Sequence, residues 1–591
     1  MMLNRVLYID LTKRKSETVE KPELFERYLG GDGVAIKLLT EECPKNVDPS
    51  SPENPVIFAI GPLTAIFPCC SKVVSMFKSP LTGNLGESHA GGRLGLAMKL
   101  ANYGAIVIKG QANSPVYLAI HDDQVSIKDA GVLWGMRSTY SVGRILREVE
   151  PGVGRRSIIR IGPAGENQVH FANVNVDVYR HFGRLGLGAV FGSKKLKALV
   201  ISGSKSFKIE NPAAYQKIYD TIYTGVTKTD LMKKYHDLGT IENILPLNAL
   251  RALPTKNLKQ RSFEYAEELS GEHLAEDYLV RKMACPACPV GCIHIANLRV
   301  AFAAGYEYES LNVPYDYEPF YALGSMLGLS SADDVLRLIE RVDRFGLDAI
   351  SVGVTLAWAT EALERGLIFE KETLGVTLRW GNVDGYMKAV SHLVSMPNEF
   401  YQTLACGVEA AAQKYGGEEI AMALAGNEIA GYHCGPATIL GQLVGARHSH
   451  IDNAGYSIDQ KSLRTKMTSN QIVSALIDEE RWRCLLTTLV ICLFARGTFK
   501  ENIVKEALDS VGVSREVEEL KELGKEIHYE KYKFKFREGF NFRQLRLPKR
   551  LFETPTPHGV LDEQKMLEAL RLYVEKSSLA KLPNYNSGNP Q

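Results

Sequence analysis

Three cysteines spaced C-x2-C-x3-C, Cys285, Cys288 and Cys292, are the part of this sequence with the clearest capacity for chemistry. Pro286, Pro289 and Gly291 bend the segment, so three thiolates can converge on one soft metal centre, with an iron–sulfur cluster or zinc as the natural guest. Zinc would need a fourth ligand at finger spacing, and His294 follows Cys292 too closely for that. The order also reverses the C-x3-C-x2-C of radical enzymes. A four-iron cluster closed by a distant cysteine is the expectation; the plainer alternative is three small buried residues.

Two glycine clusters could bring backbone N–H groups close to phosphate: Lys78-Ser79-Pro80-Leu81-Thr82-Gly83 running on to Gly91-Gly92-Arg93, and residues 183–195 with Gly183, Arg184, Gly186, Gly188, Gly192 and Lys194. Neither has the spacing of a Walker loop or a dinucleotide fingerprint, and each could equally be a tight turn. Beside an iron–sulfur clip they suggest a phosphate-bearing cofactor of the pterin kind. Asp343 and Asp348 flank a helix end and could accept the N–H groups of a pterin, although carboxylates there are more often solvated caps. Scattered histidines such as His433 and His448 do not by themselves define a metal site. The alternating stretch from Lys531 to Arg537 reads as a strand with one aromatic face rather than a nucleic-acid surface.

The elements that must hold these residues differ along the chain. Glycine-rich, β-type runs such as Val56-Ile57-Phe58-Ala59, Ala105-Ile106-Val107-Ile108 and Leu199-Val200-Ile201 dominate up to about Gly203. Helical periodicity takes over from about Asn211, for example Val335, Leu338, Ile339 and Val342 on one face, with Ser331 and Asp334 as a capping box and Gly346 as a stop. The fold class expected is α+β: a β-rich N-terminal domain over residues 1–207, then two mainly helical domains over 208–410 and 411–591, with a weak break near Gly416-Gly417.

At 591 residues the chain exceeds one hydrophobic core. Seventy Lys and Arg against 68 Asp and Glu leave a net charge of +2, which exerts no global pull toward nucleic acid or anionic membrane. The start, Leu3-Asn4-Arg5-Val6-Leu7, lacks a signal-peptide core, and the apolar run from Cys484 to Ala495 is too short for the roughly 20 residues of a membrane span. Ten scattered cysteines fit a reducing compartment, so a cytoplasmic protein is expected, with adjacent Cys69 and Cys70 structural rather than a redox pair.

In combination, Gly61-Pro62-Leu63-Thr64, Lys78 to Gly83, Ile161-Gly162-Pro163-Ala164-Gly165-Glu166-Asn167, Gly188 to Lys194, the cysteine clip, Asp343 to Asp348 and Cys492-Leu493-Phe494 resemble the tungsten-containing aldehyde:ferredoxin oxidoreductases over essentially the whole chain. The resemblance implies a β-rich domain cradling two pterin dithiolenes (molybdopterin) that hold one tungsten, Mg2+ bridging the pterin phosphates, and one [4Fe-4S] cluster on Cys285, Cys288, Cys292 and Cys492. It places pterin contacts on Lys72, His89, Gly91, Arg180, His181, Gly183, Arg184, Asp343, Leu347, Asp348 and Leu493. It places the catalytic carboxylate on Glu318, with Glu309 as the competing alignment. The family's active-site histidine falls near Thr438 or Leu440, which leaves His448 as the candidate for that role.

The departures are as specific as the matches. Lys72 stands where the family has an arginine, and His89 replaces an asparagine. The family's second Asp-x-x-Gly-Leu pattern has become Thr487-Thr488-Leu489-Val490-Ile491. Arg337 and Glu340 replace a Glu-x-x-His pair that binds iron between subunits in some homodimeric members. The function implied is oxidation of an aldehyde substrate to the carboxylic acid, electrons leaving through the cluster to ferredoxin, in a catalytic subunit paired with a small iron–sulfur subunit. The alternatives are a reductase of aromatic acyl thioesters with the same cofactor, or a non-catalytic iron–sulfur electron relay.

Overall fold

The computed structural model describes residues 3–583 except 208, 210, 304 and 306. The fold is α+β, with two six-stranded sheets in the N-terminal part and mainly helices beyond it. The first sheet runs in the order Lys15–Glu20, Arg5–Asp10, Ala105–Lys109, Val56–Ala59, Val73–Lys78, Leu85–Ala90. The second runs Arg180–Phe182, Val174–Val176, Ser157–Arg160, Leu196–Ser202, Val116–His121, Gln124–Asp129. Successive strand residues point to opposite faces, and the buried strands use both. Val56, Phe58, Ile106 and Ile108 enter the core shared with Ile159, Leu199 and Ile201 of the second sheet. Ile57, Ala59, Ala105 and Val107 face the helical part. The outer face of the second sheet, with Ala119, Ala198 and Val200, is covered by Val142 and Leu146 of the helix Thr139–Val149.

Helix Ala332–Phe345 forms where its apolar period predicts and stops at Gly346, whose φ of 77° is left-handed. The expected capping box does not form. Ser331 is the N-cap residue but makes no side-chain cap bond, and Asp334 is engaged by Arg337 at 3.2 Å. The stretch from Lys531 to Arg537 is helical, not a strand; it ends the helix Val517–Arg537. Its alternation hides a four-residue repeat. Tyr532 and Phe536 stack with Phe540 and Phe542, while Lys531 and Lys535 are buried toward acceptors. The middle of the chain also contains a three-stranded sheet, Leu279–Met283, Ile293–Ala303 and Glu307–Tyr315, that the helical reading overlooked. The cysteine clip is the connection between its first two strands.

Backbone bonds bind the helical part to the sheet-rich part at several places. Asn173 N–H donates to the Gly346 carbonyl at 2.8 Å and Asp348 N–H to that of Phe171 at 3.0 Å. Cys492 N–H donates to the Cys69 carbonyl at 2.8 Å and Lys72 N–H to that of Val490 at 3.3 Å. Many glycines of the matched motifs serve this packing: a Cβ on Gly162 would lie 2.2 Å from the Phe345 carbonyl oxygen, and one on Gly188 would lie 2.4 Å from that of Asn173. Gly183, by contrast, faces open space. Among the described residues no helix is long and apolar enough to cross a membrane.

Candidate active site and metal centre

Cys285, Cys288, Cys292 and Cys492 are brought into one neighbourhood. Each of Cys285, Cys288 and Cys492 lies close enough to Cys292 to act on its charge, and burial, the largest influence, pushes Cys292 up to about 12. Burial likewise raises Cys492. The clip is shaped by Ala287 and Gly291, both left-handed at φ 56° and 67°, and by Cys288 N–H bonding to the Cys285 carbonyl at 3.1 Å. Gly92 N–H points at Cys285 Sγ at 3.3 Å, and a Cβ on Gly91 would stand 2.7 Å from that sulfur. Among the described residues no three of these sulfurs lie within 4.8 Å of one another, so the set is too wide for one tetrahedral zinc and suits a larger guest. A fifth thiol is present. Cys69, read from sequence as structural, puts its Sγ 3.7 Å from Cys288 Sγ and holds that thiol down at about 7.

A cavity lies alongside, lined by Arg180, His181, Gly183, Arg184, Glu318, Asp343, Leu347 and Asp348. Asp343 and Asp348 sit at either end of the turn joining helices Ala332–Phe345 and Ala349–Glu364. Asp348 caps the second helix through Ile350 N–H at 3.0 Å and pairs with Arg184 Nε at 3.1 Å. Asp343 meets His181 Nε2 at 3.4 Å; burial lifts the carboxyl to about 7, and burial with Arg180 beside it lowers His181 to about 3. Lys72 lies near Gly91 and acts both on Cys288 and Cys492 and on Asp316 of this cavity. Leu493 follows Cys492 at the start of a 3-10 turn.

Glu318, on helix Tyr317–Leu323, reaches the same cavity. Its Oε2 accepts from Gly431 N–H at 3.2 Å, and its Oε1 is 3.2 Å from Nε2 of His450. Burial raises Glu318 to about 8 and lowers His450 to about 3, so at neutral pH the carboxyl keeps its proton beside a neutral ring. His448 is elsewhere: its Nδ1 lies 3.0 Å from the Leu443 carbonyl and its Nε2 2.8 Å from Lys535 Nζ, with Phe540 against its ring. Thr438 is spent on Asp459, and Glu309 is exposed on a strand. The sequence offered two histidines two residues apart, and nothing in their spacing says which one turns inward. Asp316, also overlooked, is a further buried carboxyl of the cavity, raised by burial.

His89 lies against a buried charge cluster. Its Nε2 is 2.9 Å from Glu87 and 3.2 Å from Asp32, and these three side chains could hold a cation. Lys531 already supplies one, with Nζ 2.5 Å from Asp32 and 2.7 Å from Glu87. Thr487 donates to Asp32 at 2.6 Å. Val490 adopts a left-handed turn at φ 56°, a strained conformation for a β-branched residue.

The donor set fits a polar, multi-anionic cofactor beside a cluster. Arg180 Nε, Arg184 Nη1, His181 Nε2 and Asn173 Oδ1 are buried without a hydrogen-bond partner and line the cavity. Buried polar atoms left this way are costly unless a ligand completes them. Two family profiles cover the chain: that of the aldehyde ferredoxin oxidoreductase N-terminal domain matches residues 6–203, and that of domains 2 and 3 matches residues 217–577. The chain belongs to the aldehyde ferredoxin oxidoreductase family. Among its relatives, the tungsten-containing aldehyde ferredoxin oxidoreductase of Pyrococcus abyssi is 32% identical over 579 residues, 94% of this chain and 92% of that protein. The WOR-like subunit of an aliphatic sulfonate oxidoreductase of Pyrococcus furiosus is 32% identical over 69% of this chain and 67% of that one. The active-site complex BamBC of benzoyl coenzyme A reductase, solved with 1,5-dienoyl-CoA, shares the fold at a TM-score of 0.80 and 22% identity, over 98% of this chain and 94% of that one.

Proposed function

We propose that this member of the family is a tungsten–pterin oxidoreductase that converts an aldehyde and water to the carboxylic acid, releasing two protons and two electrons, with two oxidised ferredoxins each taking one electron. The observation that carries the reading is the Glu318–His450 contact, with Glu318 opening on a cavity whose unpartnered Arg180 also acts on Cys288 and Cys292. Tungsten bound by pterins supplies the two-electron redox chemistry and polarises oxygen at the reacting centre. Arg184, His181, Asp343 and Asp348, with Gly183 open above them, would hold the pterins, and Lys72 would link them to the cluster on Cys285, Cys288, Cys292 and Cys492.

The chain's own share is orientation and proton handling. Glu318 in its carboxylate form takes a proton from the attacking water, and His450 keeps the carboxyl oriented through the 3.2 Å contact. Tyr432, stacked on Tyr456 at 4.3 Å, packs against His450 and shields the pair from bulk water. Assembly with a small iron–sulfur subunit belongs to this proposal; Arg337 and Glu340 are occupied by Asp384 and Arg344 rather than turned toward a shared iron. The test is elemental analysis of protein expressed with both tungstate and molybdate, joined to assays with aldehydes and with aromatic acyl thioesters. About one tungsten and four iron per chain with aldehyde oxidation is expected; thioester reduction without aldehyde oxidation, or a metal-free active protein, would sink it.

A further inference from the structure

The cavity beside Cys285 is basic in a chain that is nearly neutral. It measures about 490 Å³, and Arg93, Arg147, Arg156 and Arg180 line it together with Cys285. Asp177 is the single acidic residue of its lining, and its carboxylate is already engaged: Oδ2 accepts from Arg93 N–H at 2.8 Å, and Oδ1 from the Ser157 hydroxyl at 2.9 Å and Ile158 N–H at 3.2 Å. Arg281, exposed on the strand that leads into the clip, acts with Arg147 on the Tyr179 hydroxyl of the same cavity. Among the described residues none of these five arginines makes an ion pair, whereas neighbouring Arg144 and Arg184 do. Arg180 also lines the cavity of Glu318, and Arg156 is bonded to the Glu150 and Pro151 carbonyls. Arg93, Arg147 and Arg281 are thus left exposed without a carboxylate, Arg147 reaching only the Asp177 carbonyl at 3.4 Å, around the cavity that Cys285 lines.

Several like charges held together without compensation repel one another, and a partner of opposite charge relieves that. We infer that this face docks an acidic electron-carrier protein of the iron–sulfur type, its carboxylates entering the arginine-lined cavity so that its own cluster stands opposite Cys285. The inference rests on the electron-transfer reading above and adds to it the surface and the residues. Electrons leave singly through the cluster, so each two-electron turnover requires two one-electron transfers at this face.

The experiment uses the full loaded chain, wild type and R93Q/R147Q/R281Q, with a small acidic ferredoxin carrying two [4Fe-4S] clusters as the probe. Calorimetric binding at low and high salt is measured beside aldehyde turnover with ferredoxin and with the small dye benzyl viologen. Expected are wild-type binding that weakens with salt, a Kd and a ferredoxin KM that rise about tenfold in the variant at low salt, and dye-linked turnover within about twofold of wild type. Unchanged ferredoxin binding in the variant, or salt-insensitive binding in the wild type, overturns the docking. So does pyrophosphate that binds these arginines without displacing ferredoxin, which would mark a subsite for a phosphorylated small molecule. Wild-type protein lacking dye-linked turnover would instead fault the proposed reaction, while the calorimetry would still decide the docking.

Discussion

Nε2 of His450 stands 3.2 Å from Oε1 of Glu318, with the ring 10% exposed and the carboxyl side chain 20% exposed. The carboxyl is carried on a short helix and the ring on the loop after helix Pro436–Val444, so the pair exists only once these segments pack. Burial opposes charge on either partner, so at neutral pH the carboxyl is protonated and the ring neutral.

A base must lose that proton before it can act. Glu318 is raised to about 8, so turnover should climb with pH and level off above about 8, standing near one hundredth of its maximum at pH 6. Glu318→Gln should lower turnover by roughly 10²- to 10⁴-fold with bound metal unchanged. Steady-state rates across pH, read with elemental analysis, check both, and a flat profile would remove Glu318 from proton transfer.

The two neighbouring histidines should separate cleanly. His450→Asn is expected to cut turnover by roughly tenfold or more and to shift the pH profile. His448→Ala should leave the profile in place and lower thermal stability, because Lys535, buried and lowered to about 7, loses its 2.8 Å contact with the ring. Parallel pH–rate and melting curves decide it. The reverse pattern would return the catalytic role to His448.

Serine at Cys292 or Cys492 should remove most of the iron, whereas Cys69→Ala should keep about four iron per chain. Cys69 lies against Cys288 with its sulfur 3.7 Å away, which makes it the competitor for the fourth position. Iron content and the paramagnetic signal of the reduced protein report the result. Loss of the cluster in Cys69→Ala but not in Cys492→Ser would exchange the two assignments.

Lys531 neutralises two buried carboxylates at once. Burial alone would raise Asp32, but Lys531 and then His89 outweigh it and hold the group well below its usual range. That stabilisation is complete above the unfolded carboxylate value of about 3.9 and is lost as pH falls through the depressed folded value. Lys531→Met should cost about 3–5 kcal/mol by stranding the charges, and adding Asp32→Asn should recover part of it. Thermal unfolding at neutral pH measures the change; an unaltered midpoint in the single variant would show that the charges are solvated by other means.

The cysteine spacing and the glycine-flanked apolar runs were legible because they act locally: a clip bends at its own prolines and glycines, and a strand is written in its own β-branched residues. The aromatic-basic stretch ending at Arg537 was misread for the same reason. Alternation is local, whereas the helix there is stabilised by Phe540 and Phe542 packing against Tyr532 and by Asp32 reaching Lys531 from the far end of the chain. The strands on either side of the clip were missed because the charged Arg281, Lys282 and Arg299 interrupt the apolar alternation.

By itself the sequence determined the α+β class, the order of β-rich and helical parts, and the kinds of residue that could bind metal or accept a pterin. Only the tertiary structure decided which histidine meets Glu318, that Cys69 joins the cysteine group, that Lys531 pairs with both Asp32 and Glu87, and that unpaired arginines gather at Cys285. The reason is physical. Residue type and spacing set what a side chain can do, but orientation and burial set its neighbours and its proton, and those follow from contacts between segments hundreds of residues apart.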